Sequence, residues 1–286
     1  MKRILLFFPL FIGQIARPFD LNHFFQAAFA PQEPRFEEPY LASFSLRGGI
    51  GLTHTRTDNC GNILCFNPPN RYSVKTVVLD AAYNYRPNLF ISATLPSYRI
   101  TATENAIRSE FNSVGNLCLT TGWTMNYEET EELDFVDVTV ETGIIAPTAE
   151  FPLATLGIPL RGVAAVGLYD WATMGIAADI VVFFKNNYGR LWDVSFYFKA
   201  DHVMRGFSML LGFTHSDEKR VPVPWTCPVE RLPFWTMNTF HFLISYDFAT
   251  EEYPCWPRLE FFYNKVLDGK NIIKAPLWGF TLAADF

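Results

Sequence analysis

The chain is short of charge. Lys, Arg, Asp and Glu make up 18% of its 286 residues, below the usual quarter, and leave a net charge of −6. No basic stripe is present, which excludes the electrostatic footprint of a nucleic-acid binder. Cysteine is scarce, five in all, and the Cys and His residues are scattered, so no four-ligand metal set is spelled out. Phosphate-binding Gly loops, internal repeats and low-complexity tracts are missing, and nothing calls for a cofactor. Long apolar runs are missing too. Beyond residues 4–12 nothing approaches 18 apolar residues in a row, so no transmembrane helix is predicted.

Aromatics are what the chain has in excess. There are 28 Phe, 12 Tyr and 7 Trp, together 16%, a composition that suits strands and membrane interfaces. At the N-terminus Lys2 and Arg3 precede the apolar run 4–12, too short to cross a bilayer as a helix. This pattern reads as a secretory signal, residues 1–16, cut after Ala16. A buried N-terminal core segment is the competing reading. Residues 17–40 are broken by Pro18, Pro31, Pro34 and Pro39 and are read as a separate segment preceding the first strand.

From residue 41 onward the chain alternates apolar and polar with period two. Ala42, Phe44, Leu46, Gly48, Ile50 and Leu52 oppose Ser43, Ser45, Arg47, Gly49, Gly51 and Thr53. A slip of one residue would carry Arg47 onto the apolar face, so the register is well specified. Twelve such segments are predicted: 41–54, 73–86, 88–100, 115–127, 134–147, 158–169, 171–185, 190–203, 205–216, 235–249, 257–266 and 276–286. Most have the 9–11 or more residues that a tilted strand needs to cross a membrane, and an even count puts both ends of a barrel on one side. Odd-numbered connections (55–72, 101–114, 148–157, 217–234) are mostly longer than the even ones. Tyr83, Tyr85, Tyr127, Trp171, Tyr246, Phe248 and Phe286 fall at one set of ends, and Trp192, Trp235 and Trp278 at the other, where interface girdles belong. A soluble β-sandwich or lipocalin-like barrel would share the alternation, with its apolar face turned inward.

The last nine residues, Trp278-Gly279-Phe280-Thr281-Leu282-Ala283-Ala284-Asp285-Phe286, alternate in the same way and stop on an aromatic. This ending resembles the C-terminal signal of bacterial outer-membrane β-barrels, although Thr281 and Ala284 stand where the usual pattern has a Gly and a second aromatic. The resemblance extends over 41–286 as a pattern and is to the porin-like class as a whole. It implies an all-β fold: a single antiparallel transmembrane β-barrel of about twelve strands, with its termini in the periplasm. It also implies outer-membrane lipid, lipopolysaccharide and the barrel-assembly machinery as partners, with Phe286 as the assembly signal.

If the apolar face meets lipid, the other face lines a lumen. Its ionisable residues are then Asp80, Asp137, Glu141, Asp179, Asp193, Asp201, Asp247, Glu260 and Asp285, against Arg47, Lys199 and Arg258, with His241 beside them. That balance is acidic and favours cations in a pore. The expected function is a narrow channel for passive diffusion of small hydrophilic solutes or cations, without catalytic or metal-binding residues. Two alternatives stand. One is a surface barrel that binds through loops 55–72 and 217–234. The other is a barrel-embedded lipid hydrolase, which would need a hydroxyl nucleophile and an orienting polar group at a histidine such as His241. Cys60 and Cys65 share the first long loop and are candidates to pair, whereas Cys227 and Cys255 fall at opposite ends and cannot.

Overall fold

The computed structural model describes residues 42–57, 60–65, 71–86, 88–104, 107–130, 133–148, 156–168, 171–184, 190–204, 206–219, 235–248, 257–270, 272 and 274–286. The expected signal, the 17–40 segment, Cys227 and Cys255 lie outside the described residues.

The elements in chain order are β1 (Ala42–Thr53), β2 (Thr55–Thr57), β3 (Ile63–Cys65), β4 (Arg71–Arg86), β5 (Leu89–Glu104), β6 (Ile107–Val114), β7 (Leu117–Thr130), β8 (Leu133–Ala146), β9 (Gly157–Leu168), β10 (Ala172–Phe183), β11 (Arg190–Met204), β12 (Phe207–Lys219), β13 (Trp235–Asp247), β14 (Arg258–Lys270) and β15 (Leu277–Asp285). Each barrel strand pairs antiparallel with its neighbours in sequence, and β1 pairs with both β4 and β15, so the sheet closes on itself. Closure leaves no sheet edge, the condition for a sheet to stand in lipid. The ring has twelve strands once β6 and β7 are counted as one. Ser97 pairs with Val114 but Thr94 with Cys118, so one extra residue is inserted at Gly115–Asn116, which is a bulge.

The seam is sealed at its lower end by two reciprocal backbone bonds. Ala42 N donates to Phe286 O at 2.9 Å and Phe286 N to Ala42 O at 2.7 Å. The terminal aromatic therefore closes the ring, and its side chain is 62% exposed on the outside. At this end the turns are tight. Asn88 takes φ 67° and Gly206 φ 78°, left-handed positions that Asn and Gly tolerate. At the opposite end β5 and β6 run on together as a projecting hairpin, where an open loop is expected from the sequence. On its outer face Arg99 and Glu110 pair at 2.5 Å, and that hydrogen bond holds the Glu110 carboxyl below its ordinary range.

The outside of the ring is apolar. Phe44, Leu46, Leu79, Ile91, Val140, Ile144, Ile176, Ile180, Phe196, Phe280 and Leu282 are all exposed, far beyond the apolar patches that soluble monomers tolerate. On β4 this band runs from Tyr85 to the first outward charge, Lys75. Ten residues of a tilted strand cover about 25 Å, the height of an outer-membrane apolar belt. Tyr83, Tyr85, Tyr127, Trp171, Phe248 and Phe286 rim its lower edge and Trp278 its upper edge, all exposed. Tyr246 stacks between Phe207 and Phe248 at 4.6 Å from each. Trp192 stacks on His215 at 5.1 Å.

Two expectations are corrected. Trp235 is not part of the outer girdle. It is 0% exposed, faces Glu218 in register and donates its indole N–H to that carboxylate. Inward-facing parity beats aromatic propensity here because a buried carboxylate needs a donor. The Cys60–Cys65 bond is not made, and Cys65 is a free thiol. In the β2–β3 hairpin Cys65 pairs with Thr55 at the base while Cys60 sits in the turn beyond Ile63. That separation is on the order of 10 Å along the strand, beyond disulfide reach.

Candidate functional site

Period-two alternation turns a second face inward along every strand, and register aligns those faces around the ring. Arg47, Asp80, Asp137, Glu141, Asp179, Asp193, Lys199, Asp201, His241, Asp247, Arg258, Glu260 and Asp285 all fall on it. Register links Asp247, Arg258, Ala283, Ser45, Asp80 and Thr94 in one row, and Ser245, Glu260, Thr281 and Arg47 in the next.

The polar groups are held by short bonds to one another. Asp80 accepts from Thr94 Oγ1 at 2.7 Å and Ser45 Oγ at 3.3 Å. Glu141 accepts from Ser92 Oγ at 3.0 Å and from Thr120. Arg47 Nε donates to Thr281 Oγ1 at 3.3 Å. Arg258 pairs with Glu260 at 2.9 Å, and Lys199 with Asp201 at 3.1 Å.

The densest charge lies in one row across four adjacent strands. Glu141 on β8, Arg161 on β9, Asp179 on β10 and Asp193 on β11 are successive register partners. Arg161 Nε meets Asp179 Oδ1 at 2.5 Å, and its Nη1 meets Glu141 Oε2 at 3.4 Å. The Arg161 side chain is 20% exposed and Asp179 26%, so the row is reached from the lumen. Sequence reasoning missed Arg161. Its strand is rich in Gly and Ala, which blurs the alternation, yet Ile158 and Leu160 on one face and Pro159 and Arg161 on the other carry the signal.

A second cluster gathers on β11 to β14. Ser195 Oγ and Thr214 Oγ1 lie 2.9 Å apart, Thr214 Oγ1 and His241 Nε2 2.8 Å, and His241 Nδ1 and Asn264 Oδ1 3.0 Å. A hydroxyl, an imidazole and an amide in that order are the parts of a nucleophilic relay. Here all four residues are buried and His241 is 0% exposed. No substrate face is offered at Thr214 Oγ1, and the cluster acts as a polar strut in the wall.

Above the charged row the inner face turns apolar. Val74, Phe183, Leu191, Trp235, Met237 and Leu277 pack into one buried cluster near the outer end. Ile272 joins it from the β14–β15 connection, where its backbone exchanges bonds with Thr57 of β2. Alternation alone does not show this layer, since both faces of these strands are apolar there, as in Val181-Val182-Phe183-Phe184.

No protein-family model matches the chain, and no curated protein does. Among solved structures, the chain is similar to the COG4313 outer membrane channel from Pseudomonas putida F1. The identity is 14%, the match covers 90% of this chain and 99% of that one, and the TM-score is 0.73. It also matches the OccAB4 structure of Acinetobacter baumannii (7% identity, 90% and 100% covered, TM-score 0.40) and the translocator domain of the autotransporter NalP from Neisseria meningitidis (11%, 87% and 89%, TM-score 0.46). At these identities the likeness is one of fold: a closed antiparallel barrel of the outer-membrane kind.

Proposed function

We propose that the chain is an outer-membrane channel, with its termini in the periplasm, that passes small hydrophilic solutes or cations down their gradient. One observation carries the reading. Charged, lumen-accessible side chains lie inside the wall at the height where its outside is most apolar. A polar interior within a lipid-facing ring is stable when water fills it, and water connects its two ends. Twelve strands enclose a narrow passage rather than a wide one, and the apolar layer at the outer end narrows it further. The excess of carboxylates over cations on the inner face favours cations.

The tight turns and the closed seam at one end, and the projecting β5–β6 hairpin at the other, support this orientation. The outward belt then meets lipid and, on the outer leaflet, lipopolysaccharide. The exposure of Phe286 beside the seam supports its reading as a signal for the barrel-assembly machinery. The role of the COG4313 protein as a channel supports the same assignment. The sealed Ser195–Thr214–His241–Asn264 strut speaks against a hydrolase.

Single-channel recording in planar bilayers tests the proposal. The full-length folded barrel is expected to give stepwise conductance with a reversal potential favouring cations in a KCl gradient. A folded barrel, verified by heat-modifiable gel mobility, that gives no conductance in 1 M salt refutes it and leaves a surface-binding barrel.

A further inference from the structure

We propose that the outer wall of β4, β5 and β6 holds a site for a phosphate group of lipopolysaccharide, formed by Lys75 and Arg99 with Arg71 and Arg108 above them. Lys75 and Arg99 are direct register partners across β4 and β5, with Cα atoms about 5 Å apart. Both side chains are exposed on the outward face. Like charges placed directly opposite each other on a ladder are unfavourable, so an anion between them relieves a repulsion built into the register. Four residues further out, Arg71 and Arg108 flank Thr103 in one row and are exposed too.

One carboxylate answers these four cations. Glu110 Oε1 meets Arg99 Nη2 at 2.5 Å and its Oε2 meets Arg108 Nη2 at 3.3 Å. It holds two guanidinium groups in place without neutralising both. Among the described residues no carboxylate stands within ion-pair distance of Lys75 or Arg71. Arg99 retains N–H donors beyond the one that Glu110 accepts, and an ammonium has three. An excess of positive charge with open donors is suited to phosphate.

The height of the patch selects a lipid over a soluble anion. Lys75 is the first outward charge above the apolar belt, and Val77, Leu79 and Tyr83 follow below it on β4, all exposed. Leu95 and Ile91 stand opposite Leu79 and Tyr83 on β5. Trp278 shares the row of Lys75 through Ile50 and is exposed at the same edge, and tryptophan marks the headgroup level of a membrane. A phosphate held here has apolar wall directly beneath it, where acyl chains lie. The site rests on the orientation proposed above, which turns this end to the leaflet that carries lipopolysaccharide.

The test reads binding rather than conduction. The folded full-length barrel in detergent is incubated with lipid A in the presence of EDTA, so that no divalent ion bridges the phosphates, and retained lipid is followed by native mass spectrometry. Dephosphorylated lipid A and phosphatidylglycerol are run beside it. Saturable retention of lipid A is expected, with both other lipids at least about tenfold weaker. Lys75→Gln and Arg99→Gln are each expected to weaken it about tenfold, the loss of roughly 1.4 kcal/mol. Lys75→Arg should restore retention. Arg86→Gln, which removes an exposed cation at the other end of β4, should leave it within about twofold. Heat-modifiable mobility confirms that each variant is folded, and Lys75→Gln suffices if Arg99→Gln, which also releases Glu110, is not. No retention by the wild type, equal retention of either other lipid, or an affinity within about twofold in the folded Lys75→Gln barrel overturns the site. Retention without conductance keeps the site and removes the channel, and conductance without retention does the reverse.

Discussion

Arg161 is the residue whose removal has the most to say about the lumen. In Arg161→Met the side chain keeps an unbranched stem and loses the guanidinium and its charge. Glu141 and Asp179 then lose the guanidinium that separates them, and Asp193 adds a third carboxylate in the same row. Breaking a fully buried ion pair by removing one partner costs about 3–5 kcal/mol, while an exposed pair is worth about 0–1. With Arg161 20% and Asp179 26% exposed, solvent screens part of the loss. Glu141 also keeps its bonds from Ser92 and Thr120. About 2–3 kcal/mol is therefore expected, below the fully buried limit. Equilibrium urea unfolding of the barrel in lipid vesicles, followed by tryptophan fluorescence, measures it. The sharper form is a double-mutant cycle with Asp179→Asn. That change should be destabilising on its own and close to neutral, or stabilising, in the Arg161→Met background, since it then removes a repulsion. A coupling free energy below about 0.5 kcal/mol, the scatter of independent sites, refutes the ion pair as a structural element.

Two further outcomes follow from the geometry. A Cβ on Gly279 would sit 1.8 Å from Gly48 O across the closing seam, whereas one on Gly162 meets nothing within 4 Å. Gly279→Ala is expected to reduce the heat-modifiable folded fraction sharply, and Gly162→Ala to leave it unchanged; equal effects sink the seam geometry. His241→Phe removes bonds to two buried partners, Thr214 and Asn264, and should cost about 2–4 kcal/mol in urea unfolding. Conductance per folded channel should stay the same, and loss of conductance without loss of stability would mean that His241 contacts solute.

The strands were legible and the interior was only half so, for the same physical reason. Lipid outside and water inside impose opposite polarities on alternating residues, so β1, β11 and β13 announce themselves in the sequence. The inner carboxylates Asp80, Glu141, Asp179 and Asp193 followed by parity. Parity fails where both sides of the wall are apolar, as at Val181–Phe184, and the outer apolar layer was therefore invisible. Trp235 was misplaced because tryptophan suits a membrane interface, and only the register with Glu218 shows that its indole N–H has a partner inside. Arg161 was lost for want of large side chains around it. Register itself, which brings Glu141, Arg161, Asp179 and Asp193 into one row from four strands, cannot be read from any one of them.

The apolar layer also bears on why the charged row exists. Buried ion pairs are weak evidence for stability, because well-packed apolar side chains of similar volume often serve as well or better. This lumen makes that comparison within itself. At the outer end Val181 and Leu191 line the interior without charge, while two residues inward on the same strands the chain places Asp179 and Asp193. Continuing the apolar packing downward would satisfy the wall at lower electrostatic cost. Stability therefore does not account for a row of three carboxylates and one guanidinium. Under the proposed channel function a cation crossing the row does account for them, since it meets the negative charge that Arg161 alone leaves uncompensated.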